Sequence, residues 1–273
     1  MNNQNILLVV VLYRQKLWDC NSYETLIKDN PDVPLFIYDN SPVPQHSQSE
    51  FGAKVKYISD TSNPGLSFAN NRAADYAKSI HAEWILLLNQ DTFFAPDILK
   101  EYTKAIEQNP SIKLFAAPME IDGGLYMSPV RVRSHCARPA KTVPHGVLSL
   151  KKYAPIDSGQ LINVEALHEV GGYNENVPLD FCEYQFHRRL LKKYDTFFVL
   201  ETSCRQEFSD QVQNPEQKLR RYEVFCRCLK NCEKDGFGDR MAYCYIVFKR
   251  ALSLVLFGRN LKPLKVFFKI YLS

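Results

Sequence analysis

Trp84-Ile85-Leu86-Leu87-Leu88 is an unbroken apolar run that stops on the polar turn Asn89-Gln90-Asp91-Thr92. Helical patterns flank it, so it reads as a strand buried on both faces, with helices above and below a sheet. In an open sheet of that kind, ligands bind beyond the carboxyl ends of the strands, where strand order reverses. Asp91 stands at one such end. A hard divalent cation that meets a phosphate substrate wants one or two carboxylates there, with waters and phosphate oxygens completing its shell. The plainer reading, equally open from this turn alone, is that Asp91 caps the turn.

Around this run, strand and helix patterns alternate through the first 120 residues. Ile6 to Leu12, Pro34 to Tyr38 and the shorter alternating Lys54 to Ile58 read as strands. Leu66, Ala69, Ala73, Ala77 and Ile80 recur at helical spacing, and Pro96-Asp97 open a further helix before a strand at Leu114 to Ala117. This rhythm predicts an α/β fold with a mostly parallel sheet covered on both faces. Residues 119–156 carry little periodicity and read as a long structureless connection, of the kind that serves as a flap or acceptor loop. Beyond it, residues 180–193 fit a helix, Thr196 to Leu200 a strand, and the chain from Pro215 onward is helical throughout. We divide it into a main domain, 1–210, and a helical C-terminal extension, 211–273.

Charge follows the same division. After Asp239 there is no acidic residue, while Arg240, Lys249, Arg250, Arg259, Lys262, Lys265 and Lys269 are basic. Set against the formal net charge of +4, those seven leave the preceding residues at −3. That argues against nucleic acid as the main domain's partner and points the extension toward an anionic surface. The eight cysteines are scattered, and Cys226-x-Cys228-x3-Cys232 lacks a second pair at zinc spacing. Met1 to Asn5 has no basic n-region, and Ile6 to Leu12 is short for a signal segment. The expectation is free thiols in a reducing cytoplasm.

Polar groups follow three strand ends: Tyr13-Arg14, Asp39-Asn40 and Asn89-Gln90-Asp91. In a parallel sheet all three emerge at one edge. Between them, Asn63-Pro64-Gly65-Leu66 enters a helix carrying Asn70-Asn71; Gly65 permits close backbone approach, and a helix N-terminus favours phosphate. No Gly-Lys-Ser/Thr follows, so this is not a P-loop. Further on come Ser158-Gly159-x-Leu161-Ile162, Gly171-Gly172-Tyr173 and Asp180-Phe181-Cys182-Glu183-Tyr184-Gln185-Phe186, ending at Arg189. In this order and spacing, over residues 5–210, the chain resembles the family 2 glycosyltransferases, inverting enzymes of the GT-A fold, and in particular their bacterial rhamnosyltransferase-like branch.

The resemblance implies roles. Asp39 would accept hydrogen bonds from the nucleotide; Tyr13, Asn63, Gly65, Asn71, Asn89 and Gln90 would line its pocket. Asp91 would hold Mg²⁺ or Mn²⁺ against the diphosphate. The sequence departs from the family at Asn89, which replaces the first Asp of the metal motif and removes one negative charge. The catalytic base would be Glu183, with Asp180, one helical turn earlier, as the alternative. Cys182 stands where the family has an acid, and Gln185 replaces another. As plain helix acids, Asp180 and Glu183 would instead pair the dipole or Arg188 and Arg189. Ser203 to Ser209 lacks the family's late His, leaving Arg205 to serve the diphosphate or to sit on the surface. His135 and His145 reach an acceptor or are solvated; Trp84 and Phe68 belong to the core.

The implied reaction moves a sugar from a nucleotide-sugar donor to a hydroxyl of a glycan or lipid-linked acceptor in surface polysaccharide synthesis. The branch implies rhamnose from a dTDP donor, with galactose and glucose open. The rival is a degenerate domain that binds nucleotide-sugar or glycan without transfer. A sugar nucleotidyltransferase would need a glycine-rich triphosphate loop, and residues 13–20 contain no glycine. The tail offers Leu264, Phe267, Phe268 and Tyr271 on one stripe beside Lys262, Lys265 and Lys269, which predicts peripheral docking on the inner face of the cell membrane or, alternatively, a helix packed on the protein's own core with its lysines solvated. Lys249 and Arg250 interrupt the apolar stretch from Tyr243 to Phe257, leaving no run near the roughly 20 residues of a span.

Overall fold

The computed structural model describes residues 5–207 and 214–273. In chain order the strands are β1 (Ile6–Leu12), β2 (Leu35–Asp39), β3 (Val55–Ser59), β4 (Trp84–Leu88), β5 (Thr92–Phe93), β6 (Leu114–Ala116) and β7 (Met119–Ile121). Then come β8 (Leu125–Ser128), β9 (Val130–Arg131), β10 (Gly146–Ser149), β11 (Tyr153–Ala154), β12 (Gln160–Asn163), β13 (Thr196–Val199) and β14 (Cys204–Gln206). The helices are α1 (Leu66–Ser79), α2 (Ile98–Gln108), α3 (Val164–Glu169), α4 (Cys182–Leu190), α5 (Pro215–Asn231), α6 (Phe237–Gly258) and α7 (Lys262–Val266).

The main sheet runs β10-β13-β6-β12-β4-β1-β2-β3. Its strands are parallel as predicted, except that β12 is antiparallel to both β4 and β6 and the edge strand β10 is antiparallel to β13. That reversal places the start of β12 at the same sheet edge as the carboxyl ends of β1, β2 and β4. The strand period of two explains the apolar runs. Leu7, Val9, Ile85 and Leu87 face one core cluster, while Ile6, Leu8, Val10, Trp84, Leu86 and Leu88 face the other. The alanine-rich face of α1, Ala69, Ala73, Ala74 and Ala77, is fully buried in the first cluster and lets the helix lie close on the sheet.

Residues 119–156 are not structureless. They fold into short strands, with β7 and β8 as a hairpin in a small sheet ordered β5-β14-β7-β8, and β9 paired with β11. Strands of two to four residues are too short to leave a periodic trace in the sequence, and β7 also pairs with the distant β14.

The boundary at residues 210/211 falls outside the described residues. On its far side, Tyr222, Phe225, Cys226, Tyr243, Val247 and Ala251 belong to the same core cluster as the sheet face. All eight cysteines are free thiols.

Candidate functional site

The turn after β4 is fastened from three sides. Gln90 accepts the Tyr13 backbone N–H at Oε1 (3.0 Å) and donates from Nε2 to Gln15 (2.9 Å), while its carbonyl accepts from Asn21 N–H (2.8 Å). Asn89 N–H donates to Ser158 Oγ (3.2 Å), which also bonds Thr92 Oγ1 (2.8 Å). The loop before β12 is thereby tied to the β4 turn. Gln90 holds the turn to the loop after β1 through the Tyr13 backbone, while the Tyr13 ring stays exposed beneath the Arg14 guanidinium (5.1 Å).

Asp91 is half-buried and accepts Gln206 Nε2 at Oδ1 (3.0 Å). Burial raises its pKa, and the Gln206 bond opposes the rise. Gln206, on β14, lies within the stretch that lacks the late His. Its Oε1 is buried without a partner. Arg205, expected either to serve the diphosphate or to sit on the surface, is exposed, lies over the Phe93 ring (4.6 Å) and pairs with Glu207 (2.9 Å). The end of that stretch, Phe208 and Ser209, lies outside the described residues. A divalent cation wants oxygen donors. Asp91, with the unpartnered Gln206 amide oxygen at hand, fits one with a single formal charge; exchanging the amide's O and N turns that oxygen to the carboxylate.

The expected nucleotide contacts are placed differently. Asp39 is fully buried, and its carboxylate already accepts Ser41 N–H (2.9 Å), Gln45 N–H (2.7 Å) and Tyr57 OH (2.7 Å). It builds the turn after β2. Gly65 has φ +96°, and a Cβ there would lie 2.4 Å from the Pro178 carbonyl oxygen. The close approach it permits is therefore to the protein's own chain. Leu66 N–H, in the first turn of α1, donates to that carbonyl (2.7 Å), and Ser67 Oγ to the Val177 carbonyl (2.6 Å).

Asn71 is likewise bonded within the chain. Its Oδ1 accepts Tyr173 N–H (2.8 Å) and its Nδ2 donates to Glu175 (2.8 Å), stapling α1 to the segment after α3. A Cβ on Gly172 would lie 2.6 Å from Asn71 Oδ1. Asn63 is exposed, with φ +51°.

Beyond the start of α4 lies a second cluster. Asp157, Cys182 and Glu183 bring their ligand atoms within 4.8 Å of one another. Asp157 accepts Tyr173 OH (2.9 Å) and the Cys182 thiol (3.5 Å), and that thiol also lies 3.3 Å from Glu183 Oε2. Tyr173 in turn stacks on Phe186 of α4 (4.6 Å). Burial raises the pKa of both carboxyls, and Asp157's charge raises Glu183 further. Burial also pushes the Cys182 thiol up, so it stays neutral. Two acids this close share their titration, and between their two raised pKa values the pair holds a single proton.

Asp157 is the residue that sequence reasoning missed. Its one signal was an acid immediately before Ser158-Gly159, and only the reversal of β12 brings it to this edge.

Asp180 does not share a face with Glu183. The helix begins at Cys182, after Phe181 takes the left-handed conformation (φ +69°), and Asp180 binds Arg221 of α5 through both oxygens, one at 2.7 Å. Nor does Glu183 pair Arg188 or Arg189. Arg188 bonds Asp235 and Asp239 (2.7 Å), and Arg189 bonds Glu233 (2.8 Å). His135 is neither solvated nor free: Nδ1 meets Tyr184 OH and Nε2 meets Asp239, both at 2.8 Å, and its ring stacks on Tyr243 (4.6 Å). His145 bonds the Leu200 carbonyl (2.7 Å). Trp84 is core as expected, while Phe68 is half-buried at its margin.

Solved structures share this architecture. GalNAc-T7, with UDP, GalNAc and Mn²⁺, superposes with a TM-score of 0.60 at 10% identity, over 84% of this chain and 48% of that one. TarS of S. aureus, residues 1–349 in complex with UDP-GlcNAc, gives 0.51 at 13% identity, over 91% and 72%. The chain has the GT-A glycosyltransferase fold. No family model matches it. Within GT-A, its sequence is rhamnosyltransferase-like: it is 24% identical over 191 residues to the dTDP-rhamnosyl transferase RfbF of Shigella flexneri, across 69% of this chain. The chain spans 64% of that relative's length.

Proposed function

We propose that this GT-A chain is an inverting glycosyltransferase that moves a sugar, rhamnose from a dTDP donor, onto a hydroxyl of a glycan or lipid-linked acceptor. The observation that carries the reading is Glu183, half-buried beside Asp157 and joined through Ser158 to the Asn89-Asp91 turn. Inverting transfer needs a base opposite the leaving diphosphate. Glu183 takes the acceptor's hydroxyl proton as the oxygen bonds the sugar's anomeric carbon, and the bond from that carbon to the diphosphate oxygen breaks. Its raised pKa, from burial and from Asp157, suits a base working near neutrality. Asp91 would hold Mg²⁺ or Mn²⁺, whose charge would stabilise the departing diphosphate. Asp157 holds Glu183's proton affinity up, and Tyr173 holds Asp157 in place.

The second reading is a domain that binds nucleotide-sugar without transfer. Asn89, Cys182 and the full engagement of Asp39 favour it. Purified protein with dTDP-rhamnose, Mn²⁺ and a panel of glycan and lipid-linked acceptors separates the two. Nucleotide diphosphate release that depends on acceptor and is lost in Glu183→Gln supports transfer; donor binding without release supports the second reading.

A further inference from the structure

The C-terminal helices present a face that nothing among the described residues covers. α6 is 22 residues long and apolar on two opposite sides. Its inner side is committed to the core. Tyr243, Val247 and Ala251 are fully buried, and Tyr243 OH accepts Gln185 Nε2 (3.0 Å). Its outer side carries Met241, Tyr245, Leu252 and Leu256, all exposed and aligned along the helix by its repeat, with Phe248 at the margin packed on Phe267 (5.3 Å). Phe257 is 90% exposed at its end. Such a stripe is a contact surface rather than scattered apolar residues.

By length and mean hydropathy (1.4) α6 would suffice to cross a membrane, which corrects the expectation that no such segment exists. Its inner face argues against spanning, since crossing would tear three core side chains from the sheet cluster. The tail stripe expected from the sequence is also partly spent: Phe267 is buried and stacks on Tyr271 (5.8 Å). The contact surface lies on α6 instead.

Charge selects the occupant. Lys249 is exposed and lies within one turn of Tyr245 and Leu252, and Arg259, Lys262, Lys265 and Lys269 follow. No acid occurs beyond Asp239, which is itself held by Arg188 and His135. A second copy of this chain docked on the stripe would bring like charges together on both sides, because a two-fold interface repeats the same patch. An anionic bilayer meets both requirements: apolar depth for the stripe, and lipid phosphates for the lysines.

We infer that the outer face of α6, with the basic residues beside and after it, lies flat on an anionic phospholipid surface. This rests on the proposed membrane-borne acceptor only for its purpose, since docking is measured apart from transfer. The experiment is flotation of the full chain with phosphatidylcholine vesicles, with and without phosphatidylglycerol. The chain should float with the anionic vesicles alone and less at high salt. Leu252→Asp and Tyr245→Ser should each lower the partition coefficient by about tenfold or more, and Lys249→Glu should weaken it, all with unchanged circular dichroism and melting. Equal flotation of these variants, or binding indifferent to lipid charge, overturns the inference. So does a dimer in light scattering that Leu252→Asp disperses, or release from vesicles only by detergent, which marks a span. Nucleotide release onto a soluble acceptor, read in parallel, should survive in these variants; its absence with flotation intact would count against the proposed transfer and not against docking.

Discussion

At the residue scale, two carboxyls in one desolvated cluster would make the proposed transfer pH-sensitive. Glu183 is basic only above its raised pKa, so turnover should rise with pH through that value. Asp157→Asn keeps an acceptor for Tyr173 but removes the neighbouring charge, so the rising limb of the pH–rate profile should move to lower pH. Glu183→Gln should leave donor binding intact and cut turnover by roughly 10²-fold or more. The same pair acts on stability. Both folded-state pKa values exceed the unfolded ones, so their contribution is complete below the unfolded carboxyl range and is lost as pH rises through the raised values. Urea unfolding of Asp157→Asn should therefore show a shallower loss toward neutral pH. Asp180 belongs to stability instead: Asp180→Asn should cost about 1–3 kcal/mol through Arg221, with little change in turnover per folded molecule. At the proposed metal position, Asn89→Asp should tighten Mn²⁺ in calorimetry and Asp91→Ala should abolish it; unchanged heats in Asp91→Ala would remove Asp91 from that role.

At the element scale, the two ends of the site are set by chain that packs on chain. The start of α1 is closed by the 177–178 backbone, which forces glycine at 65. Gly65→Ala meets a backbone carbonyl at 2.4 Å and a left-handed φ, so it should destabilise by more than about 1 kcal/mol, read as a lower urea midpoint. The start of α4 is set by Phe181 in a conformation uncommon for a bulky residue. Its ring packs on Tyr184, Phe225 and Tyr243, contacts that hold the turn and aim Glu183 into the cluster. His135 then links the strand-rich segment after β9 to Tyr184 and to Asp239 of α6. The C-terminal helices are thereby connected to the residue next to Glu183.

At the scale of the whole molecule, the C-terminal helices complete the core cluster that covers one sheet face. Tyr243→Ala removes a fully buried ring and its bond to Gln185, and should cost about 3–5 kcal/mol; a melting temperature equal to the parent's would show that α6 is an independent appendage. Truncation after residue 239 would strip Tyr243, Val247 and Ala251 from that cluster. Surface substitutions on α6, which leave the inner face in place, are the cleaner probe of what its outer face binds.

What can be read from this sequence alone is whatever its local pattern encodes. Trp84 to Leu88 must be a doubly buried strand because every position is apolar, and the helix of Leu66, Ala69, Ala73 and Ala77 follows from spacing. The order of short motifs is enough to reach the GT-A fold, and it singles out Asp91 and Glu183, because strand ends and helix starts are local events. Contacts between distant segments are not encoded that way. Asp157 joins Glu183 only because β12 runs against its neighbours, and β14 pairs with β5 and β7 across long separations. Asp39, Gly65 and Asn71 carry the residue types of a ligand pocket, yet their atoms meet the chain's own backbone and side chains. The outer face of α6 is distinguishable from its inner face only once the core has taken one of two apolar stripes. Periodicity marks which side chains want burial, and tertiary packing decides which of them find it within the same molecule.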